Sequence, residues 1–99
     1  MNTTSTIALS GMQAAQTHLR AAAHNVANLP TEGFRRQVVQ QTARPAGGVD
    51  AAVVRAPTEG PDLVRDMVEQ LQAKHAFLAN LAVFKSADAV AGALVDIRA

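Results

Sequence analysis

Apolar and small residues fall at Ser5, Ala8, Met12, Ala15, Leu19, Ala22, Val26 and Leu29, in alternating steps of three and four. That spacing holds one seam of an α-helix toward a partner. Hydroxyl side chains at Thr4 and Ser5 can cap free N–H groups, so the pattern predicts a helix over residues 5–28. Gly11 lies inside it at a cost of about 1 kcal/mol relative to alanine, which points to a close backbone approach there. The helix is expected to end at an exit motif of Asn25, Asn28, Pro30, Thr31, Gly33 and Phe34. The asparagines tolerate left-handed geometry and their amides can satisfy the last helical carbonyls, proline cannot continue the ladder, and Gly33 supplies a positive φ.

Residues 29–60 read as a connector. Val38-Val39 and Val53-Val54 are β-branched pairs flanking the turn signal Pro45-Ala46-Gly47-Gly48, which suits a short β-hairpin or an irregular link. Thr58 to Asp62 then announces a second helix over residues 61–98, with Pro61 suited to its first position. Asp62, Asp66 and Glu69 favour the positive end of its dipole. Ala73, Ala76, Asn80, Val83, Ala87, Val90, Leu94 and Ile97 repeat the three-four spacing, and Val64, Met67, Leu71, Leu78 and Leu81 form another apolar face, with Phe77 and Phe84 between. A helix apolar on two faces meets several neighbours. The fold class is therefore mainly α: an antiparallel, coiled-coil-like two-helix hairpin in a single domain, 1–99. One attractive register sets Gly11 against Gly92, Leu19 against Phe84 and Val26 against Phe77.

Composition sharpens this picture. The chain has 99 residues, of which 21 are alanine, and it has no tryptophan, tyrosine or cysteine. So few large side chains in so short a chain leave apolar surface waiting for another copy or another protein. A net charge of +1, without basic clusters interleaved with aromatics, gives no argument for nucleic acid. The lack of cysteine removes disulfides and thiol chemistry. The N-terminus has neither the basic region nor the apolar run of a cleaved secretory signal, and no stretch is expected to span a membrane.

Candidate chemistry is sparse. His18 and His24 are six apart and His75 adjoins Lys74, so none forms the i, i+4 pair of a helical zinc site. The carboxylates Asp62, Asp66 and Glu69 are accounted for by a helix start, and Gly47-Gly48 precedes no phosphate-binding Lys-Ser/Thr. Arg35-Arg36 reads as a solvated strand face beside Gln37, Gln40 and Gln41. No catalytic, cofactor-binding or metal residue is expected, and no cofactor.

The segment Leu9-Ser10-Gly11-Met12-Gln13-Ala14 through Asn25-Val26-Ala27-Asn28, Thr31 and Gly33-Phe34-Arg35-Arg36 resembles the N-terminal signature of bacterial flagellar basal-body rod and hook proteins. Asp62 through Glu69, Ala76-Phe77-Leu78-Ala79-Asn80 and Leu94-Val95-Asp96-Ile97 resemble the family's C-terminal signature. The resemblance implies a non-enzymatic axial subunit in the periplasmic rod of the basal body, with terminal helices packed as a coiled coil around the inner tube. It implies export by the flagellar type III apparatus without a cleaved signal. Its partners would be other rod or hook subunits and further copies of itself. Two departures stand out: the family's β-rich middle is reduced to a short connector, and Phe77 stands where the family often has tyrosine.

The expected interface residues are Met12, Leu19, Val26, Phe77, Val83, Phe84, Val90, Leu94 and Ile97. The alternative is a helical interaction module or export-linked adaptor, derived from a rod protein and no longer assembled in the rod. More distant is a small metal-dependent enzyme using the histidines.

Overall fold

The computed structural model describes residues 2–98. Helix α1 spans Thr3–Ala27, strand β1 Gln37–Ala43, strand β2 Val49–Arg55 and helix α2 Leu63–Arg98. The structure is mainly helical, with two antiparallel helices joined through a two-stranded antiparallel ribbon.

Both helices begin one cap away from where the sequence suggests. Asn2, not a hydroxyl residue, caps α1, its Oδ1 accepting the Ser5 N–H at 2.7 Å. In α2 the Asp62 carboxylate accepts the Arg65 N–H at 3.2 Å, so Pro61 stands before the cap and not at the first helical position. The α1 exit is right-handed: Asn28 has φ −101°, and positive φ among the described residues is confined to glycines, including Gly33 at 72°. Asn25 and Asn28 therefore do not use the left-handed geometry open to them.

The ribbon pairs Val38 with Val54 and Val39 with Val53, and turns through Arg44–Gly48. Gly47 and Gly48 have φ of 100° and 97°, a region closed to most side chains, and both lie against α1 near Ile7 and Ser10. The Ser10 hydroxyl accepts the Val49 N–H at 3.1 Å, while Asn25 holds the other end of the ribbon at Gln37. A lone hairpin is marginal in water, and this one is fastened at both ends to α1.

Helix α1 is central, with α2 on one side and the ribbon on the other; among the described residues those two flanking elements do not approach each other. The result is a single layer, 62 × 25 × 14 Å. Its interior is made of small residues: among the described residues Ala8, Ala14, Ala15, Ala21, Ala22 and Ala73 are the buried apolar side chains. Soluble domains usually bury one layer against a second. Here the radius of gyration is 17.2 Å, against about 13 Å for a compact chain of this length. The accessible surface of 6754 Å² exceeds by about 1,400 Å² what a compact monomer of this mass exposes.

Candidate assembly surface

A buried polar cluster fixes how the two helices meet. Asp66, only 1% exposed, is on the inner face of α2, and Arg36 from the connector reaches it with two hydrogen bonds. Nε donates to Oδ2 at 3.1 Å, and the second guanidinium nitrogen pairs with Oδ1. Asn25 completes the cluster. Its Nδ2 donates to Asp66 Oδ1 at 3.1 Å and to the Gln37 carbonyl at 2.9 Å, while its Oδ1 accepts the Gln37 N–H at 2.6 Å. The hydrogen bond to Asp66 holds the Arg36 guanidinium pKa above its usual value against the opposing effect of burial.

These contacts correct three sequence expectations. Arg36 is not a solvated strand residue, Asp66 is not accounted for by the helix dipole alone, and Asn25 clamps the ribbon and α2 instead of capping its own helix. The reason is common to all three: a charge removed from water must be paired and hydrogen-bonded, and these groups satisfy one another. Sequence spacing carries no trace of the cluster because Asn25, Arg36 and Asp66 sit on three different elements. Asn28 does cap α1, donating Nδ2 to the His24 carbonyl at 2.9 Å, and its Oδ1 accepts the Thr31 hydroxyl at 3.1 Å. Pro30 is exposed, and Phe34 is half-buried against the His24 ring at a centroid distance of 5.4 Å.

The cluster also overturns the proposed glycine-on-glycine register. Asn25 meets Asp66, and a methyl on Gly11 would lie 2.5 Å from the Asn80 side chain. Gly92 has nothing near it. Alanine seams slide past each other at little cost, whereas a buried ion pair allows one alignment. In this alignment Asn2, the cap of α1, reaches the Ala87 carbonyl. The last turns of α2 project beyond α1.

Of the residues expected at interfaces, Met12, Val26, Phe77 and Phe84 are half-buried, while Leu19, Val83, Val90, Leu94 and Ile97 are exposed. They do not gather into one internal seam. Much else is uncovered on α2, including residues of the second apolar face that the sequence pattern marks. Val64 (76%), Met67 (58%), Val68 and Leu71 line its first third, and Val95 joins Val90, Leu94 and Ile97 (81%) at its end. Leu19 and Lys74 are shared by two adjoining hollows that also include Met67, Leu71, Phe77 and Leu78. Together these residues form one apolar trough along the α1/α2 seam. A more polar hollow over α1 is walled by His18, Gln41, Glu69 and Asn80, with His18 Nε2 3.0 Å from the Gln41 amide nitrogen.

Among the described residues no three His, Asp or Glu side chains converge as metal ligands. Helix α2 is long and apolar enough to cross a membrane by length and composition alone, with a mean hydropathy of 1.4 in its most apolar window, which is weak evidence for a span. Lys85 and Asp88 lie in its C-terminal half and would be costly in a bilayer.

The architecture defines a class: a thin, mainly helical chain with an alanine interior and most of its large aliphatic side chains outside. Residues 6–35, which are most of α1 with its exit, match the family model for the flagella basal body rod protein. The match covers under a third of the chain and shows that this segment is similar to flagellar basal-body rod proteins. No curated protein matches the chain.

Proposed function

We propose that this protein is a rod-like axial subunit of the flagellar basal body, assembled with other rod or hook subunits and with its own copies through its two helices. One observation carries the reading: α2 exposes large aliphatic residues along its whole length, on a molecule with roughly 1,400 Å² more surface than a compact monomer. Monomeric proteins seldom leave so much apolar surface bare, and it suits a subunit enclosed by neighbours. The apolarity that would let α2 enter a bilayer serves equally in a tube of packed helices, where Lys85 and Asp88 can find partners. The rod-family match at residues 6–35 supports a basal-body setting, and in this reading the subunit stands in the periplasmic rod and reaches it through the flagellar export apparatus. Residues 1–99 act as one unit in this reading, and Met12, Leu19, Val26, Val83, Val90, Leu94 and Ile97 lie at contacts within or between subunits.

The test is biochemical and genetic. The protein should co-purify with detergent-extracted basal bodies, and deletion of its gene should abolish motility. Recovery from the cytoplasm alone, bound to one partner in a motile deletion strain, would instead identify the adaptor.

A further inference from the structure

We propose that the unassembled chain docks flat on an anionic lipid bilayer, through the broad face formed by Leu19 of α1 and Met67, Val68, Leu71 and Leu78 of α2. The inference goes beyond the subunit reading and does not depend on it. These five side chains are between 43% and 58% exposed, and the hollows between them are lined by the two helices alone, with no ribbon residue. Because the molecule is a single layer, 14 Å in its shortest dimension, nothing among the described residues folds back over this face. On α2 it runs about 27 Å, from Met67 to Lys85. An exposed apolar surface of this kind marks contact with a protein or a membrane.

Charge selects the occupant. Helix α1 contains no Asp or Glu, and its one Lys or Arg is Arg20, exposed beside Leu19. On α2, Lys74 borders both hollows, and Lys85 follows about three turns later on the same side. Between Met67 and Ala87 the only acidic residue is Glu69. It points about 140° away from Lys74 around the helix and lines the polar hollow with His18 and Gln41. Arg20, Lys74 and Lys85 have no ion-pair partner among the described residues. Asp88 and Asp96 lie past this face, on the last turns of α2. The slab is therefore two-sided, apolar and basic on one broad face and polar on the other. An in-plane membrane binder has this arrangement: its apolar side enters about 5–10 Å while its cations meet the headgroups. Lysine stems can lie along the apolar surface with their ammonium groups in the headgroup layer. A second copy of the same face would set these three cations against their own kind, which disfavours self-pairing here. Lying flat also keeps Lys85 and Asp88 out of the hydrocarbon that a spanning helix would force on them.

The chain has no tryptophan, so Leu71→Trp puts a single reporter in the middle of the face and Gln41→Trp puts one on the polar side. Both positions are exposed, and Leu78→Trp replaces the first if it loses helix by circular dichroism. The full chain is floated through sucrose with vesicles of phosphatidylglycerol and phosphatidylethanolamine, or of phosphatidylcholine alone. The expected result is flotation with the anionic vesicles only, weakening as salt rises from about 0.1 to 1 M. Emission from Leu71→Trp should shift to the blue and be quenched by brominated acyl chains, while that from Gln41→Trp should not. Lys74→Glu combined with Lys85→Glu should weaken binding by about tenfold or more. Equal binding to both vesicles, no binding by a helical chain, or undiminished binding by the charge-reversed variant would each overturn the proposal. So would a blue shift at Leu71→Trp that grows with protein concentration and ignores lipid, which assigns the face to a second copy. Recovery of the wild-type protein with basal bodies is read separately, so the lipid contact and the subunit reading can fail independently.

Discussion

At Arg36 and Asp66 the energetics are those of a buried charge pair, in which losing one partner strands the other. Replacing either with leucine should cost about 3–5 kcal/mol in urea unfolding followed by circular dichroism, and the double replacement should cost less than the sum of the singles. Because the folded-state pKa of Arg36 is raised, its contribution is fully present below the unfolded value and is lost only as pH rises past the folded one. Helix content should therefore hold through alkaline titration to about pH 10, since the guanidinium stays protonated throughout. The glycines give a sharper contrast. Gly92→Ala enters open space and should stabilise the helix by about 0.5–1 kcal/mol, whereas Gly11→Ala drives Asn80 from its hydrogen bond to the Ala76 carbonyl. Thermal melts should show gain at Gly92 and none at Gly11 until Asn80→Ala is added. That Gly11 marks a close approach was legible in the sequence. What approaches was not, because a residue's cost within its own helix says nothing about the position opposite.

At the scale of elements, local signals served well and long-range ones poorly. The valine pairs and the Pro45–Gly48 turn implied a hairpin, and the ribbon pairs those valines directly. The Ala56 N–H bonds to the Arg36 carbonyl at 2.7 Å and the Gln37 amide turns outward to Asn25. Alternation then points the N–H groups of Val39, Gln41 and Ala43 away from β2 and those of Val38, Gln40 and Thr42 toward it. Amide exchange by NMR should follow this alternation, with the second set slower. The helix ends were readable to within two residues, since caps are local. The pairing of α1 with α2 was not, because many alanine alignments are nearly equal in energy and three polar residues from separate elements select one. The exposed faces of α2 were legible as hydrophobic patterning, though nothing in the pattern told which of them α1 would cover.

For the whole molecule, the interior matters as much for what it lacks as for what it holds. Unfolding a chain whose buried apolar side chains are alanines uncovers little new oily surface, so the urea dependence should be shallow for its length, about 1 kcal/mol per molar or less. The heat-capacity change should likewise fall below the usual ~1.2–1.5 kcal/mol/K per 100 residues in calorimetry. Steep values of both would mean that the isolated chain already associates. A thin slab held by methyl groups and one ionic clasp is also mechanically compliant. The Asn25–Arg36–Asp66 clasp holds the buried ion pair among the described residues, so once it parts the two helices are left joined by little more than methyl contacts and can be drawn apart with little further work.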